Sequence, residues 1–145
     1  LAMIASRLLG DRAFEKWGHV NTVKYGGYIG GGLWGIGLLI GIPLSESHKT
    51  LGLIIVCIGF AAAGFGMGPF FPAFNLAAAS IPGIAPSVGL ARIGLIAIAA
   101  YFGGPTIIGL IAEVTSLPVA FAFPVLLYMV VGLQSKYIKV RELKQ

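Results

Sequence analysis

Ser6-Arg7-Leu8-Leu9-Gly10-Asp11-Arg12, running on through Ala13-Phe14-Glu15-Lys16-Trp17-Gly18, is the only dense cluster of charge before the C-terminal tail. A short apolar run precedes it, and more than a hundred mostly apolar residues follow. Charge set between two apolar runs is the pattern of a turn that joins two membrane helices at one face of the bilayer.

Composition agrees with a membrane setting. Hydrophobic residues make up 57% of the chain, charged residues 10%, and the mean hydropathy is +0.93. A soluble domain carries about 25% charged residues. The 22 glycines have no triplet period, so they are not collagen-like. In membrane helices glycine lets backbones approach closely. The net charge of +5 does not point to nucleic acid, because the basic residues sit at the ends of apolar runs and not in a stripe. The single Cys57 excludes an internal disulfide, and His19 and His48 stand alone in the sequence. No metal site and no cofactor is expected from such spacing.

The chain is expected to be all-α, a polytopic membrane bundle of about four complete spans plus the end of a fifth. Residues 1–9 read as the end of a helix cut off upstream, since a span needs about 20 apolar residues. Gly10–Lys24 reads as the charged turn, with Trp17 at the interface. The spans are expected near 25–44, 50–71, 88–111 and 117–133. Pro43–Lys49 reads as a short polar loop, Ala73–Ala91 as a helix end and loop, and Glu113–Ser116 as a short turn. The bundle then covers 1–135 and a basic tail covers 136–145. In the first span, Gly27 and Gly31, Gly31 and Gly35, and Gly37 and Gly41 are four apart and make flat faces for helix contact.

Alternating spans put Arg7, Arg12, Lys16, Lys24, Arg92, Lys136, Lys139, Arg141 and Lys144 on one side and only Lys49 on the other. By the positive-inside rule the charged turn and the C-terminus face the cytoplasm. The expected location is the cell (inner) membrane, multi-pass.

The charged turn resembles a signature of the major facilitator superfamily. There the loop between the second and third helices of each half reads roughly Gly-x-Leu-x-Asp-Arg-x-Gly-Arg-Arg. Arg7, Leu8, Leu9, Gly10, Asp11, Arg12 and Gly18 match a bacterial variant of it, while Ser6 replaces the first glycine and Glu15-Lys16 a more basic pair. Gly64-Phe-Gly-Met-Gly-Pro-Phe-Phe-Pro72 is similar to the glycine-proline stretch of the family's tenth helix. Gly103-Gly-Pro-Thr-Ile-Ile-Gly109 is similar to that of the eleventh. The resemblance implies the end of helix eight through helix twelve of a twelve-helix fold. It implies a secondary transporter of small molecules working by alternating access, inactive without the N-terminal helices that would be its partners. Arg7, Gly10, Asp11, Arg12 and Gly18 would form a gating-loop motif, with Asp11 and Arg12 as a latch. Gly64, Gly66, Gly68, Pro72, Gly104 and Pro105 would serve helix bending and packing.

Arg92, Ala99, Thr106 and Glu113 recur every seven residues and share one face of the third span. Charge facing lipid is costly, so this polar stripe is expected to face protein or a cavity. Arg92, Tyr101 and Thr106 are the candidates for contact with a substrate, whose identity the chain does not reveal. No enzyme is expected, because no Ser, Cys, His or Asp constellation gathers at a membrane boundary. The alternatives are a self-contained four-helix protein acting as a dimeric small exporter, or a non-catalytic membrane subunit.

Overall fold

The computed structural model describes residues 2–138, with side chains from Arg12 onward. Six helices follow one another: α1 (Ala2–Tyr25), α2 (Gly31–Ser47), α3 (Lys49–Met67), α4 (Phe70–Ala79), α5 (Pro86–Val114) and α6 (Leu117–Gln134). A π-helical turn, Gly26–Gly30, joins α1 to α2, and a 3-10 turn, Ser135–Tyr137, follows α6. No strand occurs among the described residues. Among the described residues, four helical stretches are long and apolar enough to cross a membrane: Arg12–Ser47, Lys49–Ala79, Pro86–Val114 and Leu117–Tyr137. The protein is an all-α polytopic membrane bundle.

Three expected loops are shorter than the sequence pattern implied. Gly10–Lys24 is helical apart from Gly18 (φ 74°, ψ 163°), so the long turn is a single-residue corner. Arg12, Glu15 and Lys16 are competent helix formers and remain exposed, while Phe14 and Val23 pack with Phe70 and Ala73. Dense charge marked an amphipathic helix, not a loop. Pro43–Lys49 likewise collapses to one residue, His48 (φ −136°, ψ 78°), between α2 and α3. Ala73–Ala91 holds the end of α4 and the start of α5, and only 80–85 is non-helical. Its alanines are strong helix formers, and Pro82, Gly83 (φ 76°) and Pro86 confine the turn. The breaker run after Gly64 ends α3 at Met67, and α4 restarts at Phe70, just after Pro69.

Glycine sets the packing. A Cβ on Gly37 would lie 3.0 Å from the Gly59 Cα, and one on Gly52 would lie 2.5 Å from the Gly41 carbonyl oxygen. One on Gly66 would lie 2.5 Å from the Gly26 carbonyl oxygen. These pairings run antiparallel along α2 and α3 and close the hairpin backbone to backbone. A second stripe, Gly27, Gly31 and Gly35, faces α6 at Gly132, Tyr128 and Val125. The expected small-residue faces are therefore divided between two partners. In lipid such helices persist because the backbone has no other hydrogen-bond partner.

Two apolar clusters fill the bundle. Val23, Phe70, Ala73 and Ile138 form one, and Trp34, Leu38 and Ala63 form the other. Tyr128 packs against both, and its hydroxyl donates to the Ala63 carbonyl at 3.0 Å. By contrast α5 buries only Gly89, which rests on the Ala78 carbonyl of α4. At 29 residues it is about 43 Å long, ample for a hydrocarbon core of about 30 Å.

Candidate functional site

The corner at Gly18 is built locally. Its dihedrals fall in a region open essentially to glycine alone. The Thr22 hydroxyl lies 2.8 Å from the Gly18 carbonyl oxygen and 3.1 Å from that of Ala13, so it donates across the corner. Residues nine apart on a straight helix would be separated by about 13 Å. The chain therefore folds back here, and Phe14 stacks on His19 with ring centroids 4.5 Å apart. Trp17 meets Tyr25 edge-on at 6.1 Å.

Folding back opens a groove of about 530 Å³ between the stretch 10–17, the stretch 25–33 and the end of α3. Its lining is mostly apolar, with Ile29, Leu33, Ala62 and Phe65, and also includes Arg12 and Lys16. A second cavity of about 550 Å³ lies between α4, α5 and α6. Arg92 lines it, together with Ser80, Gln134 and Tyr137. This cavity unites polar groups from three helices that sequence spacing did not connect. Ser80 and Gln134 were missed because each is a lone polar residue near a helix end.

The remaining candidates disperse. Arg7 and Asp11 lie on α1, but their side chains fall outside the described residues, as do the tail residues 139–145. Gly10 is buried, yet a Cβ there would meet nothing within 4 Å. Gly66 makes the backbone contact described above, and Gly68 is buried beside it. Gly64 is half-buried and Pro72 is exposed. Gly104 sits in open space beside Pro105 within the unbroken α5. Pro105 withdraws its own amide donor, and the Thr106 hydroxyl donates to the next carbonyl, that of Phe102, at 3.0 Å. Tyr101 is 80% exposed, on the outer surface of α5. Arg92 and Thr106 are thus not brought to one cavity, although they share a helix face. Among the described residues no three His, Cys, Asp or Glu side chains converge in a metal-binding group.

No family model matches the chain. No solved structure matches it either. Among curated proteins it is 32% identical over 137 residues to an uncharacterized MFS-type transporter of Yersinia pestis, covering 94% of this chain and 33% of that protein. It is 29% identical over 137 residues to the membrane protein MosC of Rhizobium meliloti, covering 94% of this chain and 31% of MosC. It is also 29% identical to an uncharacterized transporter of Sinorhizobium fredii, over 83% of this chain and 29% of that protein. The chain is thus similar to part of an MFS-type transporter and to part of a second transporter. It spans about a third of the length of the curated relatives it matches.

The charged stretch before the first span has a physical reading at one position. Gly18 is the residue on which the chain direction turns, and any side chain there would be strained. Two features of this bundle escaped sequence reasoning. Tyr128 is the hub of the aromatic set Trp34, Phe70 and Tyr128, with centroids 5.7–5.8 Å apart. A tyrosine in the middle of an apolar span, where a hydroxyl needs a partner, was the available signal. Gly132 escaped because it has no other glycine near it in α6.

Proposed function

We propose that the chain is the C-terminal part, from the end of helix eight through helix twelve, of a secondary transporter that moves small molecules by alternating access. The observation that carries this reading is the Arg7–Gly18 motif ending in a left-handed glycine corner, in a chain whose curated relatives include two transporters. Such transporters work by rocking one helical bundle against another about a site near the bilayer midplane. The α5 surface supports the need for further helices. It is a long apolar helix with open small-residue positions at Gly94, Gly103, Gly104 and Gly109.

In this reading Asp11 and Arg12 form a latch at the inner gate. A charge pair near water is weak, about 0–1 kcal/mol, so it makes and breaks readily. Arg92 is the group on this chain that would meet a substrate entering from the cytoplasmic side. Its side chain lines a cavity, and a guanidinium can bind a carboxylate or phosphate through two parallel hydrogen bonds. The C-terminus is cytoplasmic and the membrane is the inner one, on the nine-to-one distribution of basic residues.

The test is vesicle transport by the protein from its complete gene and by the 145-residue chain alone. The complete protein is expected to carry substrate and the short chain to give no flux above empty vesicles. Flux through the short chain would overturn the reading in favour of a self-contained exporter.

A further inference from the structure

The groove beside the Gly18 corner has an unusual division of chemistry. Its walls are apolar over the length from Gly10 to Leu33, with Ile29, Ala62 and Phe65 on the floor. Thr22 is the one hydroxyl that borders it besides Tyr25, and that hydroxyl is already committed to the Gly18 and Ala13 carbonyls. The charged residues in its lining are Arg12 and Lys16. Arg12 and Lys16 are four residues apart on one helix, so they share a face. Both are exposed, and neither makes an ion pair among the described residues. Trp17 and Tyr25 also line it, in contact with each other, and such aromatics are common at a membrane interface.

A soluble ligand has little use for such a site, since its lower part offers no hydrogen bond. A molecule already in the bilayer, with an anionic head and long apolar chains, matches both halves. We propose that this groove binds an anionic phospholipid, its phosphate held by Arg12 and Lys16 and one acyl chain lying over Ile29, Leu33 and Ala62. Charge complementarity selects among lipids. A zwitterionic headgroup brings its own cation beside two others, whereas a phosphatidylglycerol headgroup does not. The groove accepts a chain because Gly26 and Gly30 add no side chain to it. Arg12 also belongs to the proposed latch, so Lys16 carries the test.

The experiment is native mass spectrometry of the protein from its complete gene, delipidated and then titrated with phosphatidylglycerol or phosphatidylcholine. The protein is expected to retain phosphatidylglycerol preferentially. Lys16→Gln is expected to weaken that retention about fivefold, the effect of one basic residue at an anionic membrane surface. Ala62→Trp, which fills the floor, is expected to lower retention of both lipids, and Lys49→Gln on the opposite side to change neither. Lys16 is exposed, so its variant keeps the fold, and the Arg12→Gln variant repeats the measurement at the second cation. Equal retention of the two lipids overturns the proposal. So does a phosphatidylglycerol preference untouched by Lys16→Gln, or a groove that retains no lipid because the protein's own chain fills it.

Discussion

Helices α2 and α5 are built from the same materials and end in opposite environments. Each is glycine-rich, apolar and interrupted by one proline, Pro43 in α2 and Pro105 in α5. In α2 the glycines are spent on contact, with Gly37 and Gly41 against α3 and Gly31 and Gly35 against α6. In α5 a methyl at Gly94, Gly103, Gly104 or Gly109 would touch nothing within 4 Å. Composition therefore does not tell a packed helix from an open one. The partner's pattern does. Gly52, Gly59 and Gly66 on α3 repeat every seven residues and return a flat face to α2. Neither α4 nor α6 offers α5 such a face beyond the single seat of Gly89 on Ala78.

The sharpest way to break this contrast is to put bulk into the packed region. Gly52→Val places a branched Cβ 2.5 Å from the Gly41 carbonyl oxygen and the Ser45 amide nitrogen. Both are backbone atoms of α2, so relief requires the hairpin to open. The expected loss is at least the upper end of ordinary overpacking, about 3 kcal/mol. Thermal unfolding in detergent, followed by circular dichroism, would show it. A Gly52→Val protein melting with the parent would mean that α2 and α3 are not closely apposed.

Next in size is Gly18→Ala. No neighbour blocks the methyl, so the effect is purely conformational. Holding alanine at φ 74° and ψ 163° is expected to destabilise by about 2 kcal/mol. The same melt reads it, and a Gly18→Asn variant, equally unsuited to this region, should behave alike. Normal stability in both would show that the corner relaxes to plain helix. Smaller again is Tyr128→Phe, which keeps the ring between the two apolar clusters and deletes the hydroxyl bond to Ala63. About 1 kcal/mol is expected. A null result would assign the role of Tyr128 to its ring alone.

How much of this was visible in the sequence follows the same division. The spanning helices were legible because apolar runs of that length have no other use. The glycine stripe was legible too, but not its assignment. A spacing of four puts Gly27, Gly31 and Gly35 on one face without saying which helix that face meets. Boundaries were hardest near charge. Arg12, Glu15 and Lys16 looked like a loop because loops and amphipathic helices share that composition, and Gly18 was read as one motif letter among several. Its left-handed conformation leaves no mark on neighbouring residues. The cavity at Arg92 was beyond reach for a related reason. Ser80, Arg92, Gln134 and Tyr137 are brought together by two helix turns, and no period along the chain connects them.

The smallest effect is the most discriminating. Gly104→Leu adds a large side chain to α5 where it meets no neighbour. In the 145-residue chain it is expected to leave the melt unchanged or raised slightly, since leucine is a better helix former than glycine by roughly 0.5–1 kcal/mol. In the protein from the complete gene the outcome depends on what lies beside α5. If that face meets helices of the same transporter, as proposed above, the leucine is an overpacking mutation worth about 1–3 kcal/mol, and stability or flux falls. If the face meets lipid, the leucine is as neutral there as in the short chain. Comparing the two melts therefore reads α5's neighbour directly. A variant neutral in both would mean that the glycines of α5, unlike those of α2, do not serve packing at all.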